Sequence, residues 1–340
     1  MADIALFLNM LFVIGILATM GASLTLPGMA GIILTIGMAV DANVIIFERI
    51  REELRKGRAI KQAIADGYKK SYSAIVDANV TTFITGLILL WFGLGPVKGF
   101  ATILLIGIVS SFITGVLVTR LFVDWRTENG TPVKFWNGWS QNILSKPNFD
   151  FITKRRLAYV FSGIIIAAGI FSMVTRGFEL GVDFKGGRSY VVRFDDAVNV
   201  SNIQESLTSA FNGERPSVKT FGGDNQVKIT TSYMIDTKGL EADSIVENTL
   251  YTGILPFLGS DVDFDSFSKN YRKSSQKVGP TIADDIKKGA LQATIFGFLA
   301  IFLYILVRFR KWQYGLGALI ALIHDVLIVL SIYSLLQGIL

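Results

Sequence analysis

Seven windows of about 20 predominantly apolar residues punctuate the chain: Asp3–Leu24, Gly28–Phe47, Ser71–Phe92, Val97–Phe122, Leu157–Thr175, Lys288–Val307 and Gln313–Leu336. Each is long enough to cross a hydrocarbon core of roughly 30 Å as a helix. Between the fifth and sixth windows the pattern changes. Arg188–Asp195 (RSYVVRFD) alternates as a strand does, and Val200–Asn212 suits a helix with Ser201 as its cap. Ser217–Phe221 and Gln226–Tyr233 read as strands joined by a hairpin turn over Gly222–Asn225. Glu241–Leu258 reads as a helix, and Val262–Val278 holds a last strand.

The order β-α-β-β-α-β suits a ferredoxin-like sandwich. The expected fold class is therefore a membrane α-helical bundle with an extracytoplasmic α+β domain. Composition agrees: 51% of residues are hydrophobic and the mean hydropathy is +0.49, too apolar for an average water-soluble domain. The segment from Gly177 to Asp285 is the exception, with 11 Lys/Arg against 16 Asp/Glu.

The placement of charge sets the topology. Arg49, Arg51, Arg55, Lys56, Arg58, Lys61, Lys69 and Lys70 lie between the second and third spans. Arg120, Arg126, Lys134, Lys146, Lys154, Arg155 and Arg156 follow the fourth, and Arg308, Arg310 and Lys311 follow the sixth. The loops Thr25–Pro27 and Gly93–Pro96 carry no positive charge. Basic loops stay in the cytoplasm, so the first span runs outward and Arg176–Ile286 lies outside. Nucleic-acid binding is the competing reading of such runs, but each run abuts a span. The expected organisation is four spans in 1–123, a cytoplasmic linker in 124–156, a fifth span in 157–176, the outer domain in 177–285 and two further spans in 286–340. The first span lacks a basic leader region, so no cleavable signal peptide is expected.

Ionisable groups inside the spans are the candidate chemistry. Asp41, in GMAVDANVIIF, lies seven residues before Glu48, or about 10 Å along a helix. The tetrapeptide VDAN recurs at Val76–Asn79 and puts Asp77 at a similar depth in the next, oppositely directed span. An aspartate at mid-bilayer costs about 2.5–3.5 kcal/mol on insertion scales. Hydrocarbon penalises the charged form, so such a carboxyl is a candidate proton carrier. Asp325, beside the single histidine His324, is the third proton-relay candidate, and Asn43, Asn79 and His324 are supporting polar groups. The structural alternative is that these carboxyls cap a helix break or bond across the bundle, and it suits Asp77 and its neighbours Thr81 and Thr82 best.

There are no cysteines and one histidine, which argues against disulfides, thiolate chemistry and a His-rich metal site. No GxxxxGK[ST] loop and no Ser/His/Asp set is present, so neither an enzyme nor a cofactor is expected, and the transmembrane ion gradient is the expected source of work. Small residues at four-residue spacing, Gly107, Ser111 and Gly115 in the fourth span and Gly289, Ala293 and Gly297 in the sixth, mark expected helix contacts. Aligned from Ala5 and Ala321, the first and last spans match at Leu6/Leu322, Leu11/Leu327 and Val13/Val329, with Asn9 opposite Asp325. This internal repeat suggests a chain that begins and ends inside a repeated unit, a habit of transporters.

Longer motifs carry a family resemblance. Thr25–Gly57 and Asp66–Leu89 closely resemble consecutive spans of SecD, and LGVDFKGG at Leu180–Gly187, Val278–Leu291 and Ala321–Leu330 are similar to SecF. The chain thus resembles the fused SecD/SecF family of protein-export membrane proteins, within the resistance-nodulation-division superfamily, from the third SecD span to the third SecF span. The linker Asp124–Arg156 resembles neither. A full SecD begins with a span and a large outer domain, and a full SecF continues for three more spans with a second intramembrane acidic motif. The resemblance implies that Asp41 is one half of a proton path. It also implies a role in late steps of polypeptide translocation across the inner membrane, driven by the proton gradient. The implied partners are the SecYEG channel, the SecA ATPase, the translocating unfolded polypeptide, YajC and YidC. A proton-driven small-molecule exporter of the same superfamily and a non-transporting Sec scaffold are the alternatives.

Overall fold

The computed structural model describes residues 2–21, 25–129, 133–136, 138, 150, 152–178, 180–237, 240–259 and 262–337. Among them, seven helices are long and apolar enough to cross a membrane. In chain order the elements are α1 (Ala2–Thr19), α2 (Leu26–Arg55), α3 (Ile60–Phe92), α4 (Pro96–Glu128) and α5 (Arg155–Arg176). Then come β1 (Gly187–Arg193), α6 (Val200–Ala210), β2 (Ser217–Thr220), β3 (Gln226–Thr231), α7 (Leu240–Ile254) and β4 (Arg272–Val278), followed by α8 (Pro280–Phe309) and α9 (Trp312–Leu335). The chain divides into two compact units, Met1–Gly177 with Ala290–Leu340, and Phe178–Gly289.

In the first unit, α2 and α3 run past the predicted spans, because the basic segment between them continues both helices. Glu53, fully buried on α2, holds this extension together. Its carboxylate accepts from Lys70 at 2.8 Å and Lys56 at 3.0 Å and lies 2.9 Å from the Arg58 guanidinium. The charge run is thus a structured hairpin as well as a topology signal. The predicted linker 124–156 starts inside α4, which runs to Glu128; residues 130–132, 137, 139–149 and 151 of it lie outside the described residues, as do 22–24 at the end of the first predicted span.

The small face of α4 packs on α2 as its spacing predicts. A Cβ at Gly107 would sit 2.9 Å from the Thr35 Cβ, and one at Gly115 3.5 Å from the Ala42 Cβ. Ser111 is buried on the same face. Replacing Gly107 with Leu therefore forces α2 and α4 apart, and overpacking of this kind costs about 1–3 kcal/mol. The expected result is a lower midpoint in a thermal melt of the detergent-solubilised protein, with Gly297→Leu as the neutral control. In the sixth span Gly289, Ala293 and Gly297 are all buried, but a Cβ at Gly297 meets nothing within 4 Å, so the packing there is looser than on α4. Elsewhere α5 and α9 pair through small residues. The Ser334 hydroxyl donates to the Ser172 Oγ at 2.9 Å, and Gly169 lies directly against Ser331.

The second unit is a four-stranded antiparallel sheet in the order β2-β3-β1-β4, with β1 paired to both β3 and β4. Its core is formed by Tyr190, Val192, Val227 and Ile229 from the sheet with Ile203 and Leu207 of α6 and Val246 and Leu250 of α7. Both helices therefore cover one sheet face, as the β-α-β-β-α-β order requires. One detail corrects the sequence reading, and a second narrows the expected last strand within Val262–Val278. The α6 cap is Asn199, whose Oδ1 accepts from the Ser201 and Asn202 amides at 2.9 and 3.4 Å; a residue outside the helix has the extended backbone a cap needs. The last strand is only Arg272–Val278, because Asp263 accepts from the Ser266 amide at 2.9 Å and starts a helical stretch that reaches Tyr271.

At the entrance to β1 the pair Gly186-Gly187 has φ of +76° and +153°, and a Cβ at Gly187 would lie 2.7 Å from the Thr231 carbonyl oxygen. Only glycine fits both the turn and the close approach of β3. The next residue, Arg188, is buried. Its Nε donates to Asp243 Oδ1 at 2.9 Å and another guanidinium nitrogen donates to the Tyr233 carbonyl at 2.9 Å. Lys277 donates to both Asp243 oxygens, at 2.7 and 2.9 Å. Lys277 and Arg188 together hold the Asp243 carboxyl below the usual carboxylate range.

Candidate functional site

Two intramembrane carboxylates on adjacent helices have opposite surroundings. α2 is fixed at its start by Thr25, whose side chain accepts from the Gly28 amide at 3.2 Å, with Pro27 in the first turn. Four turns later Asp41 lines a small cleft of about 70 Å³ between α2 and α3. Met38 and Ile45 of α2 and Ile75, Asn79 and Thr82 of α3 share its wall. Among the described residues Asp41 has no hydrogen bond or ion pair. The cleft has room for a few water molecules at about 30 Å³ each. The Asp41 carboxyl thus stands at a mostly apolar cleft without a hydrogen bond or ion pair among the described residues.

Asp77 is held. Its Oδ1 accepts from the Tyr304 hydroxyl at 2.8 Å and from Arg308 Nε at 2.7 Å, and the same guanidinium donates to the Ser73 hydroxyl at 2.5 Å. This ties α3 to α8, and the stacked rings of Phe92 and Phe296, 4.9 Å apart, tie them again at the other end. Sequence reading counted Arg308 as a loop charge after the sixth span. The available signal was the four-residue spacing of Tyr304 and Arg308, which puts both on one face of a helix.

The supporting asparagines do not bond to the aspartates. Asn79 donates to the Ile75 carbonyl at 2.8 Å and Asn43 to the Ala39 carbonyl at 3.4 Å, each one turn back in its own helix. Asn79 lines the Asp41 cleft; Asn43 is buried toward α4, near Gly115, with its side-chain oxygen unpartnered. There α4 widens into a π-helical stretch over Ile113–Val118, a departure that recurs at functional sites. Asp325, largely exposed on α9, lies 3.0 Å from its neighbour His324. The structure thus brings Asp41, Asn79 and Thr82 together and leaves Asp77, Asn43, His324 and Asp325 in other settings.

Comparison with known proteins places the chain in a family. Residues 1–128 and 261–339 match the family described as protein export membrane protein SecD/SecF, C-terminal, and residues 171–198, which include the Gly186-Gly187 turn, match the SecD/SecF GG motif. The chain is 32% identical over 337 residues to the protein translocase subunit SecDF of Brucella abortus, covering 98% of this chain and 42% of that protein. It is 57% identical over 124 residues to the protein translocase subunit SecD of Rhodothermus marinus, covering 36% of this chain and 20% of that protein. The crystal structure of SecDF from Thermus thermophilus, a translocon-associated membrane protein, aligns with a TM-score of 0.80 at 30% identity, over 98% of this chain and 43% of that one. The chain spans about two fifths of the length of these SecDF relatives. With seven membrane-capable helices, matches to both family descriptions and an aligned fold over nearly its whole length, this multi-pass membrane chain belongs to the SecD/SecF family of protein-export membrane proteins.

Proposed function

We propose that the chain is part of an accessory subunit of the Sec export machinery that couples the proton gradient to late steps of polypeptide translocation. The carrying observation is the contrast between Asp41, partnerless at a cleft, and Asp77, ion-paired with Arg308. Asp41 binds a proton that enters from the outer side and releases it to the cytoplasm. Its two charge states favour different packings of α2 against α3 and α4, and that difference moves the outer domain. Asp77 stays ionised as an anchor between α3 and α8. Relatives named as protein translocase subunits support the Sec assignment. The partners in this reading are the SecYEG channel, SecA and the unfolded chain in transit, with YajC and YidC as associated components. The test is export of a reporter with and without an uncoupler: the uncoupler slows the wild type and leaves Asp41→Asn unchanged.

The topology in this reading puts the turn at Gly57 in the cytoplasm and the β2–β3 turn outside. With no native cysteine in the chain, the test is clean. A cysteine at Asn225 is labelled by a membrane-impermeant thiol reagent, and one at Gly57 is protected until the membrane is opened. Labelling of both before opening contradicts the assignment.

A further inference from the structure

The sheet of the outer domain has a second face, opposite α6 and α7, and its charges are arranged differently from those of the rest of the domain. On the helix-covered side the strand cations are neutralised: Arg188 and Lys277 meet Asp243, and Arg272 meets Glu247. On the other side Lys219 of β2 and Lys228 of β3 stand directly opposite each other in the register, and Val191 of β1 continues the row. Among the described residues neither lysine makes a hydrogen bond or an ion pair. The next row is Thr230 beside Ser189, whose hydroxyls lie 3.3 Å apart, and beyond the lysines Arg193 donates to the Gln226 side chain at 2.7 Å. No strand position on this face carries a carboxylate.

Like charges directly opposite on paired strands are destabilising. Here the pair stands uncompensated in a domain where acids outnumber bases by 16 to 11 between Gly177 and Asp285. From this we infer that the β2–β3 edge of this face, where Lys219 and Lys228 stand, is a docking surface for an acidic protein segment. The net acidic charge of the domain decides between occupants of the same sign. An anionic bilayer would repel the domain as a whole, whereas a short acidic segment meets the lysine row alone, within a Debye length of about 8 Å.

The experiment uses the full chain in a neutral detergent and a fluorescent peptide of alternating Glu and Gly, read by anisotropy across a salt series. Wild type binds, more weakly as salt rises. The double variant Lys219→Gln/Lys228→Gln loses about tenfold in affinity, or about 1.4 kcal/mol, while Lys61→Gln/Lys69→Gln, with the same change in net charge, keeps wild-type affinity. A thermal melt shows that the double variant is folded and no less stable, since it relieves a like-charge pair. Equal affinity in wild type and the double variant, or an equal loss in the control, overturns the proposal. So does recruitment to phosphatidylglycerol vesicles that depends on the two lysines when the peptide does not bind.

Discussion

Cells whose only copy carries Asp41→Asn are expected to insert and assemble the protein normally and to export a reporter at the rate seen without a gradient. The substituted amide is nearly the same size and lines the same cleft with Asn79 and Thr82. No hydrogen bond or ion pair of Asp41 is lost among the described residues, so packing changes little. What disappears is the ability to alternate between a neutral and a charged side chain at one place in α2. One proton moving through about 100 mV supplies about 2.3 kcal/mol, which caps the gradient-dependent acceleration from that source at roughly fifty-fold. The loss is expected to fall within that ceiling and to grow with the size of the gradient. Asp41→Glu keeps an ionisable group on a longer arm and retains part of the acceleration. Asp77→Asn behaves differently: it weakens the tie to Arg308 between α3 and α8 and lowers thermal stability, with the gradient dependence largely kept.

Asp243→Ala is expected to have the largest effect on the stability of the outer domain. It leaves the Arg188 guanidinium buried with the Tyr233 carbonyl as its remaining acceptor and frees Lys277. Breaking a fully buried pair costs about 3–5 kcal/mol. Asp243 is 38% exposed, so the expected cost is smaller, about 2–3 kcal/mol. Hydrogen exchange at β1 and α7 reads it directly, with β1 amides losing protection while α2 and α4 are unaffected. The pair also predicts a pH dependence. A carboxyl depressed in the folded state contributes stability that is fully present above its unfolded value of about 3.9. That contribution is lost as pH falls through the lower, folded value. Protection of β1 is therefore flat from neutrality to about pH 5 and falls below pH 4, and Asp243→Ala lacks that acid-dependent loss. Tyr190, whose phenol burial pushes up to about 12, adds nothing to this window.

The seven spans were legible because twenty apolar residues leave few options in lipid, where backbone groups must be satisfied within the segment. The outer fold was legible from period-2 strands and turn residues. What escaped was set by contacts between distant parts of the sequence. Glu53 looks like one more acid in a charged run, and only the approach of α3 shows it buried under Lys70. Asp77 and Asp41 share the motif VDAN, and the sequence sets them apart only through Thr81 and Thr82, which tilt Asp77 toward a structural role. The separation comes from Arg308, more than 200 positions away, which sits near one of them and not the other. Gly297 shows how little spacing says about tightness: it is buried like Gly107, yet a Cβ there meets nothing within 4 Å. The π-helical stretch in α4 has no signature in its sequence, ITGVLV.

The most direct test of the proton reading is the rate of reporter translocation in inverted membrane vesicles as a function of an imposed proton gradient, at constant SecA and ATP. The wild-type rate is expected to rise with the gradient, the Asp41→Asn rate to stay flat, and the two to coincide at zero gradient. A rise of the same slope in Asp41→Asn would contradict the proton reading.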